Sequence, residues 1–568
     1  MQTSLRHAIP VVIAVSVMSV CAGFDARGSV VSASGDQAGA YGSYLAGRLA
    51  ASQHNMADAA RLFRDSLSGD PDNADLNARV FLYTAASGDI DRARESAERV
   101  VAQDSDNRTA RLTLAVIAIR HHNFSEARRQ IAKSGKGPLM GLTLSLLDAW
   151  AAQGSGDIEA ALKDLKDVPN EGGTVSLAAF HRALILDLAG RTEDADAAYR
   201  QALTSTNPNP RLIESYGRFL ERAGRAADAR ALYDAHKSEA GLVPILSAGA
   251  ARLNEGSKPD RLVASTEDGA AEALFAVAAS LTDQASADIA ILYLRLTLYL
   301  SNDFDLAKVM LADRFEDLKK YQDAIDVYRS IDRHSPYRVA ASVQTAIDET
   351  RLDQKDKAIT ELKELASEKP SEIATWTALG DTYRSLEKYK EAADAYDHAV
   401  KLLGNVTTKD WPLYFARGVA EERSHNWNAA EPDLQYALKL SPEQPEVLNY
   451  LGYSWVDQGR NLREAVALLE KARGLSPFDG YIVDSVGWAY FRLGRYQDAA
   501  KALEQAVTLV PGDPTVNEHL GDAYWMIGRK LDARFQWSHA IAFGAAADQK
   551  SALESKLQSG LNASPQHD

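Results

Sequence analysis

In the stretch "DSVGWAYFRLGRYQDAAKALEQAVTLVPGD", Asp484 to Asp513, an apolar run carrying Gly487 gives way to a polar turn at Gly494. A second run carrying Ala499 then ends at Pro511. The pattern predicts two antiparallel helices joined by a short turn. Gly494 suits the turn, and Pro511 cannot continue the second helix and helps to end it. Glycine inside a helix costs roughly 1 kcal/mol against alanine, so Gly487 is expected where close approach of a neighbouring helix offsets that. Tyr490 and Leu503 are expected to fill the space between the two helices.

The same spacing recurs along the chain. Gly47, Phe81, Ala115, Ala149, Ala183 and Gly217 are 34 residues apart, and Ala278, Ala312, Ala346 and Gly380 form a second series at the same step. Gly418, Gly452, Gly487 and Gly521 follow at steps of 34 or 35. Twelve residues after each small position stands an alanine, from Ala59 to Ala533; Ala465, one residue late, marks a single insertion. One helix pair cannot bury its apolar face alone, so neighbouring pairs must stack. The grid breaks between Gly217 and Ala278, where "EGSKPD" reads as a loop.

A 34-residue period with this content resembles the tetratricopeptide repeat. Trp376, Leu379, Gly380, Tyr383, Ala392, Tyr396 and Ala399 occupy its signature positions in the clearest unit; the early units are degenerate. The resemblance implies an all-α superhelical solenoid of about 14 helix-turn-helix units over roughly residues 41–545, as one array or as two with a joint near 240–270. The expected organisation is a signal peptide at 1–22, a linker at 23–40, a first array at 41–237, an irregular joint at 238–271, a second array at 272–545, and a capping helix and tail at 546–568.

The N-terminus departs from the grid. Arg6 and His7 precede the apolar stretch "AIPVVIAVSVMSV", residues 8–20, too short to span a bilayer comfortably. Val20 and Ala22 supply small residues for a cut after Ala22, so the segment reads as a secretory signal peptide and the protein as exported, in the periplasm. The alternative is envelope anchoring through Cys21, the only cysteine, or through an uncleaved N-terminal segment; Val20 is a poor fit to a lipobox. Cleavage after Ala22 would leave no cysteine, hence neither a disulfide nor a thiol nucleophile.

Composition and motifs then narrow the function. With 63 Lys and Arg against 78 Asp and Glu, the formal charge is −15, which argues against a nucleic-acid partner. Neither an HExxH zinc motif nor a GxSxG elbow occurs, and "GKGPLMG", residues 135–141, lacks the spacing of a phosphate loop. His121 and His122 point about 100° apart on a helix and read as a solvated pair or a turn boundary rather than a metal site. Glu421 and Glu422 read as exposed helix charges. No non-repeat segment reaches the roughly 50 residues of a catalytic domain. No catalysis, cofactor or metal is expected.

Binding is expected on the first helix of each pair. The resemblance implies that residues at offsets −6, −3, +1, +4 and +5 from the small position line a concave groove. For Gly452 these include Asn449, Tyr453 and Asp457; for Gly487, Tyr481, Asp484, Trp488, Phe491 and Arg492; for Gly521, Glu518, Asp522 and Trp525. Aromatics interleaved with acids suit a protein or peptide partner that is apolar and neutral or basic. The competing reading packs these rings between neighbouring units, and Trp376, at a signature position, is expected to pack in that way. The stretches "LNYLGYSWVDQGRNLREAVALLEKA", "DGYIVDSVGWAYFRLGRYQDAAKALEQAV" and "VNEHLGDAYWMIGRKLDARFQWSHAI" resemble bacterial envelope adaptor lipoproteins of carboxyl-terminal processing proteases. This implies an exported scaffold or adaptor whose partners are a processing protease and its substrates. The alternative is a structural subunit of an envelope assembly or polysaccharide-export complex.

Overall fold

The structure, a computed structural model, describes residues 37–561 apart from 136, 167, 169–173, 205–209, 237–242 and 283–285. The expected signal peptide, most of the linker and the last residues of the tail lie outside the described residues. Among the described residues there are thirty α-helices, a short 3-10 turn at Thr408–Asp410 and no strand. The all-helical fold of paired helices read from the grid is therefore the fold of the chain.

The grid has a direct physical counterpart. Its alanines, from Ala59 to Ala533, are fully buried in every unit. The glycines are explained differently from the simple approach of two helix axes. A Cβ on Gly487 would lie 2.5 Å from Leu503 Cγ, and one on Gly521 would lie 2.5 Å from Trp537 Cδ1. Each glycine is a seat for a large side chain of the second helix, so the missing methyl is filled rather than left empty.

A further regularity lies seven residues after each small position. His54, Gly88, His122, Gly156, Gly190, Gly224, Lys319, Asp353, Glu387, His425, Gly459, Gly494 and Gly528 all have positive φ. This left-handed residue reverses the chain between the two helices of a pair. His122 is thus a turn residue, one of the two readings its sequence allowed, although the left-handed region costs a non-glycine residue about 1–2 kcal/mol.

The chain divides into two compact units, one ending at Leu352 and the other beginning at Asp353. The boundary falls in sequence between the helices Arg338–Arg351 and Lys355–Glu368. The stretch 238–271 holds the helix Val243–Glu255, a non-helical segment and the start of Thr266–Ser280, and belongs to the first unit.

In the first unit the pair Thr266–Ser280 and Ala287–Leu300 does more than extend the stack. Helix Thr266–Ser280 packs on Pro138–Gly154, Arg108–Arg120 and Thr174–Leu188; helix Ala287–Leu300 packs on Ala74–Ala86 and Arg108–Arg120. These are first helices of earlier pairs, so the hairpin 266–300 lies along the face expected to form a groove there. Gly269 rests against the Trp150 indole, where a Cβ would meet the ring at 2.3 Å. Thr266 Oγ1 donates to Gln153 Oε1 at 2.7 Å, Tyr299 Oη donates to Asp91 Oδ1 at 2.5 Å, and His54 Nδ1 lies 2.9 Å from Asp288 Oδ1. Helix Arg108–Arg120 is accordingly buried at every position from Ala110 to Ile119. That all-round burial marks a helix enclosed on both sides.

The second unit follows the simpler rule. After Lys355–Glu368 come the pairs Ile373–Ser385 with Tyr389–Leu402, Trp411–Arg423 with Trp427–Leu440, Pro445–Asp457 with Leu462–Leu475, Gly480–Arg492 with Tyr496–Leu509, and Pro514–Met526 with Lys530–Ala542. The last helix, Ala547–Ser559, buries Leu553 in a cluster with Leu520 and Trp537. No helix among the described residues is long and apolar enough to cross a membrane.

Candidate interaction site

Three consecutive first helices of the second unit, Pro445–Asp457, Gly480–Arg492 and Pro514–Met526, carry the residues singled out by sequence. At their centre is a stack of three rings. Trp488 lies parallel to Phe491 at 4.8 Å and parallel to His519 at 4.1 Å, and Tyr496 meets Phe491 edge-on at 5.3 Å. Trp488 and Phe491 are half-buried while His519 is buried. Phe491 lies one turn beyond Trp488, which lets the two rings stack along the helix.

The stack is backed by a carboxylate. Both oxygens of the buried Asp484 lie 3.0 Å from His519 Nδ1. Burial alone would lower the His519 pKa, but the Asp484 charge and hydrogen bond more than offset it, so the imidazole titrates above its ordinary value. When protonated, the ring over Trp488 also makes a cation–π contact.

Around the stack, polar groups lack intrachain partners. The Tyr453 hydroxyl and the Trp488 indole N–H meet no hydrogen-bond partner among the described residues. Asn449 Oδ1 is buried without one. Burial, with the charges of Asp457 and Asp484, pushes the Tyr453 hydroxyl up to about 12. Tyrosines elsewhere in the unit behave differently: Tyr450 donates to Glu422 and Tyr524 to Glu504, each at 2.8 Å, and Tyr490 donates to Glu470. The exposed Arg492 reaches the Asp457 carbonyl at 3.3 Å and joins the two first helices.

The structure therefore brings together Tyr453, Asp457, Asp484, Trp488, Phe491 and Arg492. It does not bring the remaining residues into that cluster. Tyr481 stands at the start of its helix, beside Asp479 and Asp513. Glu518 and Asp522 are held by the last helix: Lys556 Nζ lies 2.6 Å from Glu518 Oε1 and 2.7 Å from Asp522 Oδ2, Gln549 Nε2 donates to Glu518, and Trp537 Nε1 donates to Asp522 at 2.8 Å. Trp525 packs 5.4 Å from Trp537 and is covered by Gly560. Asp484 and Asp522 are buried and serve as internal acceptors, so neither presents a free charge to solvent. Trp376 stacks on His398 at 4.3 Å and donates to the Pro370 carbonyl.

His519 and Lys556 escaped the sequence reading. His519 lies at offset −2 from Gly521, outside the offsets considered, and Lys556 lies beyond the last pair. Among the described residues no group of three or more His, Cys, Asp or Glu side chains is placed to hold a metal ion. Chemically, the cluster offers an aromatic surface with a carboxylate-backed imidazole behind it and free hydroxyl and indole groups at its edge. That inventory suits recognition of a polypeptide segment.

Comparison with known proteins agrees with the repeat reading. Tetratricopeptide repeat models match residues 180–242, 415–480 and 487–550, with further matches at 84–135 and 373–402. The TPR repeat-containing protein PA4667 of Pseudomonas aeruginosa is 27% identical over 198 residues, 35% of this chain and 33% of that protein. The general transcriptional corepressor ssn6 of Schizosaccharomyces pombe is 28% identical over 137 residues, 24% of this chain and 12% of that protein. The matched part thus spans a third or less of either relative's length. Of solved structures, Cut9 with Hcn1 from the APC/C aligns over 92% of this chain and 96% of that chain at 16% identity and a TM-score of 0.38. Yeast Tom70 aligns over 92% and 95% at 13% identity and a TM-score of 0.32.

Proposed function

We infer, from the tetratricopeptide repeats that this chain carries, a protein-interaction scaffold whose recognition surface is centred on Tyr453, Trp488 and Phe491. One observation carries the choice of that surface. Trp488 and Tyr453 keep half-exposed rings and unsatisfied polar groups, whereas the packing tyrosines of the same helices are hydrogen-bonded to glutamates. A buried aromatic with one wet end is the type of residue that anchors partners. The bound segment is an apolar stretch of a protein, neutral or basic because Asp457 and a net-acidic chain surround it.

The finer reading is an exported adaptor that holds a carboxyl-terminal processing protease and presents its substrates. The apolar segment at 8–20 and the C-terminal repeat stretches support it. A photo-crosslinking amino acid at position 488 of the full chain, used in envelope extract, tests the surface and the partner together. Crosslinks to a processing protease or its substrates are expected, and they should disappear in Trp488→Ala with Phe491→Ala at unchanged helicity. Loss of helicity in that double variant would mark the rings as core and end the reading. Intact mass of the purified protein tests export: a chain beginning after Ala22 is expected.

A further inference from the structure

Several buried or half-buried arginines of the first unit are ion-paired. Arg211 binds Glu272 and Glu214, Arg222 binds Asp187, and Arg252 binds Glu221. Arg295, in the middle of helix Ala287–Leu300, is not paired. It makes no hydrogen bond or ion pair among the described residues, and its Nε is buried with no acceptor. Its guanidinium lies 5.5 Å from the Phe315 ring and against the Gly88 turn, where a Cβ would sit 3.3 Å from Cδ and Nε. Burial lowers its pKa from the ordinary arginine value, while the exposed Asp323 draws it back without bonding to it. Arg295 is half-buried, and a polar group held out of water without a partner costs stability.

Arg295 opens into a cavity of about 210 Å³ lined by Leu298, Tyr299, Asn302, Lys308, Leu311 and Val327. The Lys308 ammonium is already held by Asp305 Oδ1 at 3.1 Å and by the Ser330 carbonyl at 3.0 Å. Tyr299 donates to Asp91, so its hydroxyl proton is committed. Arg295 brings the largest set of free donors to the cavity, beside the Asn302 amide, and its planar fork matches a carboxylate. No carboxylate lines the cavity, and Leu298, Leu311 and Val327 offer an apolar wall for a short methylene chain.

We propose that this cavity binds a carboxylate carried on a short aliphatic stem, with Arg295 as the recognising group. The carboxylate could arrive on a free dicarboxylic acid or on the glutamate side chain of a polypeptide; both present the same group to the guanidinium.

Isothermal titration of the full chain with glutarate tests the proposal, with glutaramide as the neutral control. Glutarate is expected to bind and to raise the first unit's thermal midpoint, and glutaramide is not. Arg295→Met should weaken glutarate at least tenfold while unfolding at the same temperature as the parent or higher, because an unpaired charge has been removed. Arg295→Lys, which keeps the charge and the fold, should weaken it about tenfold by losing the fork. A capped Ala-Glu-Ala peptide that binds at least as well as glutarate, where Ala-Gln-Ala does not, assigns the polypeptide source; glutarate binding alone assigns the free acid. The proposal is overturned if neither acid binds the parent chain, if Arg295→Met binds both unchanged, or if inorganic phosphate competes as strongly as glutarate.

Discussion

Single residues carry the packing rules of this chain, and their size and charge can be tested one at a time. Gly487→Ala would gain about 1 kcal/mol of helix propensity but drive a methyl to 2.5 Å from Leu503 Cγ. Overpacking of that kind costs about 1–3 kcal/mol, so a net loss of stability is expected. Gly474→Ala, near the end of helix Leu462–Leu475 with nothing within 4 Å of the added methyl, should instead gain up to about 1 kcal/mol. Denaturant unfolding of the two variants should move in opposite directions. A second test concerns acids. The Tyr328 hydroxyl lies 2.7 Å from both Asp313 Oδ1 and Glu316 Oε1, yet has one proton to give. Burial, with the neighbouring Glu316 charge, pushes Asp348 up to about 7 against the pull of Arg351. Burial likewise pushes Asp313 up to about 6. Both folded values exceed the unfolded value of about 3.9, so their contribution is fully present below that pH and is lost as pH rises to 6–7. Asp348→Asn should raise the first unit's thermal midpoint at pH 8, by about 1–3 kcal/mol in stability, and leave it little changed at pH 4. A gain of equal size at both values would refute the account.

At the scale of elements, the last helix completes the final pair both electrostatically and by apolar contact. Lys556 satisfies Asp522, which is buried, and Glu518, which is half-buried. Lys556→Met should cost about 3 kcal/mol by leaving Asp522 unpaired, and hydrogen exchange should quicken in helices Ala547–Ser559 and Pro514–Met526 before the rest of the unit. Unchanged exchange there would mean that Leu553 alone holds the helix, so Leu553→Ala is the companion variant. The helices, their pairing and the buried alanines were legible in the sequence because each depends on local spacing. The groove residues were legible only in part. A position repeated from one pair to the next predicts which face of the first helix a side chain occupies, and Tyr453, Trp488 and Phe491 remain half-exposed there. It could not foresee that Asp484 would be spent on His519, or Asp522 on Lys556, since those contacts join different helices 34–35 residues apart in sequence.

At the scale of the whole molecule, the two units use one repeat in different ways. The second stacks neighbour on neighbour, while the first lays its own hairpin 266–300 along its first helices. Nothing periodic signals that placement; the nearest hint is "ILYLRLTLYL", apolar on all sides and so suited to burial on both. Trp150, fully buried against Gly269, is the test. Trp150→Ala should cost about 3–5 kcal/mol and loosen helix Thr266–Ser280 together with Pro138–Gly154, read as joint loss of amide protection. Loosening of Pro138–Gly154 alone would show the hairpin to be held elsewhere. A stack of repeats can condense pair by pair as it leaves the ribosome, each pair finding its partner within some tens of residues. Here the helix that begins at Arg108 must wait for residues near 290 before its second face is covered. The early repeats are thus born with a bare apolar flank, and their completion depends on late-arriving chain, which slows folding and leaves them exposed to aggregation or capture by chaperones in the interval.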